Sequence, residues 1–356
     1  MRIAFLTFQL KNGGAERMVA RLSNAFVKRG HQVDILLFDV TNPDYAVDPS
    51  VRIIDVGSKG ISKLTKIPKK IWLIHNYIRD NKPDIIVPFI IYMIPFVPLA
   101  RIGTSKNVKI IGAERTNPRY HNKIIRSFIN LFLPFCDGFV FQTEGAKSCY
   151  PKYIQKRSIV IGNIAPVVKQ NRITENVILN AVCSVGRLHN DKDYETLIKG
   201  FALVVDKIPN ATLHIYGSGP LKECLERLSK KLGIHTHVVF EGFSRDIASE
   251  LVKYKVFAFS SKNEGMPNAL MEAMCCGCAC ISSDCDFGPR ELIIDGENGF
   301  LVPVENYHVL AARIVQLLQD QELTERLGRN ARKIQNDYSE ERIASAYLNY
   351  AEKLIK

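Results

Sequence analysis

The chain has 356 residues, of which 46% are apolar and 24% are charged, so it is too long for one ordinary core and suits two folded domains. No apolar run reaches the roughly 20 residues that span a bilayer, and the start, Met1–Phe8, lacks the long apolar core and cleavage site of a secretory signal. We therefore expect a soluble, cytoplasmic protein without a transmembrane helix.

The net charge of +12 is concentrated in the first half of the chain. Residues 1–170 carry 26 Lys and Arg against 11 Asp and Glu, whereas the remainder carries 22 against 25. A solvated surface explains such an excess, and so does attraction to an anionic surface or substrate. No zinc finger or aromatic RNA-binding signature accompanies the charge, so we expect no nucleic-acid partner.

Apolar runs that predict strands alternate with amphipathic helical stretches along the whole chain. In the first half the predicted strands are Ile3–Phe8, Val33–Phe38, Ile53–Val56, Ile85–Pro88, Lys109–Gly112 and Gly138–Phe141. The helical patterns between them include Ala15–Lys28, Ile67–Arg79 and Asn122–Leu133. In the second half the predicted strands are Ala181–Val185, Thr212–Tyr216, Val238–Phe240, Val256–Phe259 and Ala279–Ser282. This alternation is typical of α/β proteins in which helices cover a parallel sheet.

A polar, non-periodic stretch at 168–180 separates the two halves and predicts a linker. We therefore expect a first domain at 1–167, a second domain at 181–337 and a final helix at 338–356 that packs back on the first domain. Ligands of open parallel sheets bind at the carboxyl ends of the strands, so the motifs that follow strands are the candidates for a site.

Gly13 and Gly14 follow the first predicted strand and open the first helix. Two adjacent glycines let a phosphate or sugar approach the backbone, and a helix N-terminus supplies N–H donors. A plain structural turn explains the same pair equally well. The G-x-G-x-x-G spacing of dinucleotide-binding folds is absent, which argues against a dehydrogenase.

Arg187 and Lys192 bracket the loop that follows the first strand of the second half. An arginine fork and a lysine point charge suit a diphosphate that gains negative charge as it leaves. Each residue taken alone is more often a surface charge. Their common position after a strand favours a binding role.

Glu264 and Glu272 flank the predicted start of a helix at Pro267, directly after a strand. Eight helical residues separate two groups by roughly 12 Å, while the carboxylates of a retaining glycosidase lie only about 5 Å apart. The two glutamates are therefore not expected to form a nucleophile–acid pair. Holding opposite ends of one extended ligand suits them better.

Cys275, Cys276, Cys278 and Cys280 crowd into six residues. No second cysteine pair or nearby histidine cluster supplies the other ligands of a zinc site. We expect these cysteines to be small packing residues in a reducing compartment, and we predict no metal site.

Together these segments resemble the retaining glycosyltransferases of family 4, which have the GT-B fold and use sugar nucleotides. Glu264 and Glu272 meet the hallmark Glu-x7-Glu of that family. The resemblance covers nearly the whole chain and includes Gly13-Gly14-Ala15-Glu16-Arg17, Gly186-Arg187-Leu188 with Lys192, Tyr216-Gly217-Ser218-Gly219-Pro220, Gly288-Pro289-Arg290-Glu291-Leu292 and Gly299-Phe300-Leu301-Val302-Pro303. It implies an α/β architecture of two Rossmann-like, doubly wound parallel-sheet domains facing a central cleft, with a C-terminal helical segment.

The resemblance also implies roles for the matching positions. Glu264 is expected to bind donor-sugar hydroxyls and Glu272 the ribose hydroxyls, while Arg187 and Lys192 hold the diphosphate in place of a metal. The other nucleotide-sugar contacts are expected at Gly13, Gly14, Met266, Asn268 and Ala269, and the nucleotide base is expected near Gly217, Phe243 and Ser244. Catalysis in such enzymes rests on positioning and on stabilising the leaving group, and the leaving phosphate oxygen takes the acceptor's proton.

Glu114 and Arg115 follow a first-half strand, at a position where many members of the family carry a histidine. Either residue is a candidate for contact with the acceptor, and an ion pair between the two explains them equally well. His121 is the nearest histidine and the third acceptor-side candidate.

The pattern most resembles bacterial transferases that use a UDP-sugar and extend polyprenyl-diphosphate-linked oligosaccharides or polysaccharides, including N-acetylgalactosaminyl transferases. An inactive sugar-nucleotide-binding scaffold subunit and a GT-B sugar phosphorylase are the alternatives.

For a lipid-linked acceptor, we expect the first half to dock on the anionic cytoplasmic face of the inner membrane. The residues expected to do so are Lys59, Lys63, Lys66, Lys69 and Lys70, the adjacent Ile71–Ile74, and the uncharged run Phe89–Val97. A buried strand and helix explain that run as well.

Overall fold

The computed structural model describes residues 1–11, 13–41, 43–57, 66–104, 107–168 and 177–356. They form two compact units: unit 1 comprises Met1–Ile164 together with Glu340–Lys356, and unit 2 comprises Ala165–Ser339. The predicted linker at 168–180 lies mostly outside the described residues, as do Lys59 and Lys63 of the predicted basic surface.

A seven-stranded parallel sheet forms the centre of unit 1. Its strands are β1 (Arg2–Thr7), β2 (Gln32–Leu37), β3 (Arg52–Asp55), β4 (Ile85–Pro88), β5 (Lys109–Glu114), β6 (Gly138–Phe141) and β7 (Ser158–Val160). They lie in the order β3-β2-β1-β4-β5-β6-β7, and Phe5 at the centre pairs with Ile35 on one side and with Val87 on the other. The order in which the chain adds strands therefore reverses between β1 and β4, which makes this a topological switch point.

Helices connect the strands of unit 1, as the alternating pattern predicts. They are α1 (Gly14–Val27), α2 (Lys66–Asn81), α3 (Phe96–Arg101), α4 (Lys123–Asn130), α5 (Glu144–Ser148) and α6 (Lys152–Lys156). α4 ends three residues before the predicted limit at Leu133. The physical reason is Pro134, because a proline has no N–H to donate to the carbonyl four residues before it, here that of Asn130, and its ring clashes with that carbonyl. A short 3-10 turn follows at Leu133–Phe135.

The uncharged run Phe89–Val97 belongs largely to the core of unit 1, which corrects its prediction as a membrane-facing segment. Phe89, Ile91, Ile94 and Val97 are at most 2% exposed, whereas Tyr92 is exposed. Phe89 packs edge-on against Phe5, with 5.7 Å between the ring centroids. Among the helices in the described ranges, none is both long enough and apolar enough to cross a membrane.

Unit 2 contains a six-stranded parallel sheet of the same kind. Its strands are β8 (Ala181–Val185), β9 (Thr212–Tyr216), β10 (Val238–Gly242), β11 (Val256–Phe259), β12 (Ala279–Ser283) and β13 (Phe300–Val302). Its helices are α7 (Tyr194–Lys207), α8 (Lys222–Lys231), α9 (Ile247–Leu251), α10 (Asn268–Cys275), α11 (Pro289–Leu292), α12 (Tyr307–Gln319), α13 (Gln321–Ala331) and α14 (Ile334–Asp337). The strand order is β10-β9-β8-β11-β12-β13, so the switch point lies between β8 and β11.

Both faces of the unit 2 sheet are covered, because alternate residues of each strand enter different cores. Val182 of β8 belongs to an apolar cluster with Leu197 of α7, whereas its neighbour Cys183 belongs to a second cluster with Met271 of α10. This is the doubly wound arrangement that the sequence predicts.

The crowded cysteines lie in the second of these cores. Cys275, Cys276, Cys278 and Cys280 are all buried, and burial raises the pKa of the neighbouring Cys183 thiol well above its ordinary value. Within the described ranges, no group of three His, Cys, Asp or Glu side chains has the geometry to hold a metal ion.

The last helix, α15 (Glu340–Ile355), belongs to unit 1. The Tyr350 hydroxyl accepts a hydrogen bond from the Phe139 N–H at 3.0 Å and donates one to the Arg157 carbonyl at 2.6 Å. These bonds tie α15 to β6 and to the chain that enters β7.

Candidate active site

The loops that follow β8 and β11 meet at the carboxyl edge of the unit 2 sheet, on either side of its switch point. The Ser260 hydroxyl donates to the carbonyls of Lys192 at 3.0 Å and Asp193 at 2.9 Å. The Lys262 N–H donates to the Asp191 carbonyl at 2.9 Å. These bonds to the backbone fix the loop that carries Lys192 against the loop that carries Glu264.

Lys192 and Glu264 form an ion pair at this edge. Lys192 Nζ lies 2.5 Å from Glu264 Oε1, and the two side chains are only 15% and 9% exposed. Lys192 Nζ also lies 3.9 Å from Asp191 Oδ2. Charges attract more strongly where water is largely excluded. The Lys192–Glu264 pair is therefore expected to interact more strongly with charged groups of a ligand than exposed side chains would.

Arg187 lies on the same loop as Lys192 but is far more exposed. Its Nη2 is 3.7 Å from Asp191 Oδ2, and its side chain is 76% exposed. The structure therefore brings both cations of the predicted diphosphate site to one carboxylate, that of Asp191. Asp191 is absent from the predicted site residues, although its place directly before Lys192 is the signal that points to it.

A glycine sets how closely the loops after β8 and β9 pack. Gly217 has a φ of +141°, and a Cβ at this position would collide with the Gly186 carbonyl oxygen. Only glycine adopts this backbone without strain and leaves room for that carbonyl. Gly217 therefore lies against the loop that carries Arg187, at the edge where the family resemblance places the nucleotide base.

Phe243 and Ser244, the other candidates for contact with the base, directly follow β10. The Gly217 N–H donates to the Gly242 carbonyl at 2.7 Å, which holds the ends of β9 and β10 together. Phe243 is exposed and Ser244 is partly buried. An exposed aromatic ring at a strand end offers a face on which a base can stack.

Helix α10 begins at Asn268, which corrects the predicted start at Pro267 by one residue. Pro267 has an extended ψ of 107° and precedes the helix as its N-cap. Pro267 makes no side-chain cap hydrogen bond. Met266, Asn268 and Ala269, the predicted contacts, lie at this helix N-terminus, whose partial positive charge suits an anion. Glu272 lies on the same helix and is 6% exposed.

Gly13 and Gly14 lie in unit 1, at the start of α1. Gly13 is the extended N-cap, and its carbonyl accepts hydrogen bonds from the Tyr45 hydroxyl and the Arg17 N–H, both at 3.1 Å. The Glu16 side chain folds back over Gly13, and burial raises the pKa of its carboxyl group. The predicted phosphate-facing turn thus has an acidic side chain beside its N–H groups.

Glu114 is the last residue of β5, because that strand continues two residues beyond the predicted limit and pairs Glu114 with Phe141. Its buried carboxylate accepts hydrogen bonds from the Thr116 N–H and hydroxyl and, at 2.7 Å, from the Tyr150 hydroxyl. His121 Nε2 lies 2.7 Å from the same carboxylate, and the His121 side chain is 5% exposed. Burial, followed by the Glu114 charge, raises the pKa of Tyr150.

The contacts continue outward from His121 to solvent. An Nε2–H that donates to Glu114 leaves Nδ1 as the acceptor for the Tyr92 hydroxyl, 2.7 Å away. Glu114, His121 and Tyr92 therefore form a chain from a buried carboxylate to an exposed phenol. We name these three residues the Glu114 chain.

Arg115 points away from Glu114, so the predicted alternative of an ion pair between these two described side chains is not formed. Its guanidinium donates to the Ile161 carbonyl at 3.3 Å, to the Tyr347 hydroxyl at 3.2 Å and to Asn163 Oδ1 at 2.5 Å. The side chain is buried, and burial lowers its pKa. These contacts assign Arg115 to holding α15 against β5.

Two family models match most of the chain. The model described as Glycosyltransferase Family 4 matches residues 12–164, and the model described as Glycosyl transferases group 1 matches residues 169–334. The first range lies within unit 1 and the second within unit 2.

A curated relative extends over the same length. The chain is 26% identical to a Campylobacter jejuni GalNAc-alpha-(1->4)-GalNAc-alpha-(1->3)-diNAcBac-PP-undecaprenol alpha-1,4-N-acetyl-D-galactosaminyltransferase, over 98% of this chain and 97% of the relative.

Two solved structures share the fold. Sucrose-phosphate synthase from Thermosynechococcus elongatus superposes with a TM-score of 0.84 at 21% identity, over 99% of this chain and 98% of the other. Anabaena HepE in complex with UDP and glucose superposes with a TM-score of 0.80 at 19% identity, over 98% of each chain. With glycosyltransferase models matching both units and the expected parallel sheets in each, the chain belongs to the glycosyltransferases of the GT-B fold, with a family 4 unit followed by a group 1 unit.

Proposed function

We propose that this chain is a retaining glycosyltransferase that moves a hexose or an N-acetylhexosamine from a UDP-sugar to a lipid-linked or polysaccharide acceptor. The observation that carries the proposal is the Lys192–Glu264 ion pair at the switch point of unit 2. It sets a cation suited to a diphosphate in direct contact with a carboxylate suited to sugar hydroxyls.

In the proposed reaction, the bond between the sugar C1 and the diphosphate oxygen breaks while the acceptor oxygen bonds to C1 on the same face. The acceptor proton passes to the departing phosphate oxygen. Because the new bond forms on the face that the diphosphate leaves, an α-linked donor gives an α-glycosidic product. Lys192 and Arg187 stabilise the negative charge that develops on the diphosphate. This reaction needs no protein nucleophile. The two cations neutralise the diphosphate charge that a metal ion would otherwise neutralise.

The remaining donor contacts follow from the positions of the other residues. Glu264 holds the donor-sugar hydroxyls, and Glu272, about one turn into α10, holds the ribose hydroxyls. The first turn of α10 faces the phosphates, and the exposed ring of Phe243 stacks on the base. Asp191 orients Arg187 and Lys192 before the donor binds.

The comparisons support a UDP donor and a lipid-linked acceptor. The HepE structure holds UDP and glucose, and the name of the Campylobacter relative specifies an N-acetylgalactosaminyl transfer to a PP-undecaprenol-linked oligosaccharide. We extend these features to this chain and place its reaction in bacterial glycan biosynthesis at the cytoplasmic face of the inner membrane.

The basic surface of unit 1 supports that location. Lys66, Lys69 and Lys70 lie in the first turns of α2, and Lys69 Nζ stands 4.4 Å from the centroid of the exposed Trp72 ring. A tryptophan beside lysines suits the headgroup region of an anionic bilayer, where each basic residue contributes about 1 kcal/mol.

The purified protein is expected to transfer sugar from a UDP-sugar, and to do so in excess chelator, because lysine and arginine neutralise the leaving diphosphate. The measurement is transfer of labelled sugar to a short-chain polyprenyl-diphosphate oligosaccharide, with UDP-, GDP- and ADP-sugars compared. Digestion of the product by α- or β-specific glycosidases reports the anomeric outcome.

Other outcomes of this assay identify the alternatives. A scaffold subunit would be stabilised by its nucleotide sugar, by about 2.7 kcal/mol at 100 times the dissociation constant, without turnover. A phosphorylase would require inorganic phosphate and release a sugar phosphate. Activity that chelator abolishes and a divalent metal restores would contradict the metal-free site.

We assign acceptor binding to the Glu114 chain, because its hydrogen bonds connect the buried Glu114 carboxylate through His121 to the exposed Tyr92 hydroxyl. His121→Ala and Tyr92→Phe are each expected to raise the KM for the acceptor roughly tenfold, the effect of losing a hydrogen bond worth about 1.4 kcal/mol. The affinity for UDP should not change, since none of the three residues is among the predicted nucleotide contacts. Initial rates at varied acceptor concentration give the KM, and calorimetry gives the UDP affinity.

Tyr150→Phe is the matched control for Tyr92→Phe. It removes a hydroxyl that donates to the Glu114 carboxylate at the buried end of the Glu114 chain, where Tyr150 is 5% exposed. This variant is expected to lower thermal stability and leave the acceptor KM near the wild-type value. Equal KM changes in the two tyrosine variants would show that the Glu114 chain is structural only.

A further inference from the structure

Helix α4 of unit 1 turns an apolar face to solvent. Ile124, Phe128 and Leu131 are spaced at i, i+4 and i+7, which places them on one stripe of the helix and its cap. Their exposed fractions are 81%, 52% and 66%. Exposing three large apolar side chains on one stripe to water is unfavourable relative to burying them. This face is therefore suited to a partner.

The apolar face is held rigidly by buried neighbours. Ile129, on the opposite side of α4, and Leu133, in the following 3-10 turn, are 3% and 0% exposed. The Asn122 side chain caps the helix by accepting from the Ile124 N–H at 2.9 Å. Because the inner side of the segment is packed and its start is capped, the outward direction of the apolar side chains is a property of the fold.

The apolar face continues past the helix with an aromatic side chain. Phe135 is exposed in the 3-10 turn, and Tyr120 is exposed in the turn before the helix. Aromatic side chains at the edge of an apolar surface are typical of the boundary between lipid headgroups and acyl chains.

The charges around α4 identify the partner. From Thr116 to Cys136 the chain has no Asp or Glu, and its charged residues are Arg119, Lys123 and Arg126. Arg119 and Lys123 are exposed. Within this segment the apolar stripe is flanked by cations and by no acidic residue, which complements an anionic lipid surface, and the charge excess of residues 1–170 has the same sign.

We propose that α4 docks unit 1 on an anionic bilayer, with Ile124, Phe128 and Leu131 inserted among the acyl chains. An interfacial helix of this kind lies in the membrane plane with its apolar face about 5–10 Å deep. The cations of Arg119 and Lys123 then lie at the level of the headgroup phosphates. This role of α4 differs from that of the lysines of α2, which attract the surface without inserting.

The position of α4 connects docking to the acceptor. Asn122, its cap, directly follows His121 of the Glu114 chain. The inserted helix thus begins where we place acceptor binding, and a sugar on a lipid-linked diphosphate emerges from the membrane beside it. This connection rests on the proposed function, whereas docking itself does not.

The docking role is tested with the full-length protein and the variant Ile124→Ser/Phe128→Ser/Leu131→Ser. The matched control is Val167→Ser/Leu179→Ser/Ile294→Ser, which removes three comparably exposed apolar side chains from unit 2. Each protein is sedimented with phosphatidylcholine vesicles, with or without phosphatidylglycerol, at low and high salt. We expect the α4 variant to lose more than about tenfold in binding to anionic vesicles and the control to bind as the wild type does.

A second measurement records insertion directly. Trp72 is the one tryptophan of the chain, so Phe128→Trp in a Trp72→Phe background gives a fluorophore on α4 alone. Its emission is expected to shift to the blue when anionic vesicles are added. No shift, or unchanged vesicle binding by the α4 serine variant, would overturn the proposal. A dimer that the serine variant abolishes, without vesicle binding by the wild type, would identify the face as an interface between two copies.

These measurements use no donor sugar, so their outcome does not depend on glycosyl transfer. If both proposals hold, the α4 serine variant transfers sugar normally to a soluble short-chain acceptor and poorly to one embedded in vesicles. Loss of transfer to both acceptors, with vesicle binding retained, would count against docking through α4 and leave the donor site untouched.

Discussion

Lys192→Ala is expected to lower kcat for sugar transfer by about 10²–10³, the effect of removing one preorganised group that stabilises a leaving charge. Lys192 is 15% exposed and contacts Glu264. Because its surroundings are largely closed to solvent, water in the variant does not readily supply the lost stabilisation of the leaving charge. The side chain belongs to neither apolar core of unit 2, and the variant should fold. The measurement is the initial rate of UDP release at saturating donor and acceptor.

Lys199→Ala is the matched control. Lys199 Nζ lies 2.7 Å from Glu195 Oε1 on α7, but both side chains are well exposed, so this pair contributes little in water. The control should retain nearly the wild-type rate. Arg187→Ala should reduce the rate less than Lys192→Ala, because Arg187 is exposed and solvent screens its charge. A near-normal rate for Lys192→Ala would mean that the diphosphate is bound elsewhere.

Most strands could be predicted because each is a short apolar run bounded by polar turns. The predicted limits of β4, β6, β8, β9 and β11 coincide with the observed ones. β7 and β13 are missing from the prediction, because three residues are too few to show an apolar pattern. The order of the strands has no local signal, since it depends on which buried strands become neighbours.

The candidate site shows the same division between local and long-range information. Glu264 and Lys192 are predicted separately, from a motif and from a position after a strand. Their contact joins residues 72 positions apart and depends on β8 lying beside β11. Likewise, the contacts of His121 with Glu114 and Tyr92 arise from how the loops after β4 and β5 fold. A lone histidine in a sequence gives no indication of such partners.

The second large effect concerns the two glutamates, which we expect to act on different parts of the donor. Glu272→Ala should weaken the binding of UDP roughly 10- to 100-fold, because its proposed partners are the ribose hydroxyls and a hydrogen bond to a carboxylate is worth about 1.5–3 kcal/mol. Glu264→Gln should leave UDP affinity intact or tighten it, since the loss of its charge leaves Lys192 available for the diphosphate. Calorimetry with UDP measures both affinities.

Sugar transfer separates the two variants further. Glu264→Gln is expected to lower kcat by about 10²–10³, because the donor sugar loses a group that orients it in the transition state. Glu195→Gln, which removes the carboxylate of the exposed Lys199 pair, should change neither the rate nor the affinity for UDP. Because Lys192 and Glu264 are in contact, the double variant Lys192→Ala/Glu264→Gln should lose less than the sum of the two single losses in activation free energy. Equal weakening of UDP binding by Glu264→Gln and Glu272→Ala would contradict the assignment of the two carboxylates to opposite ends of the donor. Strict additivity of the two losses in the double variant would show that the ion pair has no part in catalysis.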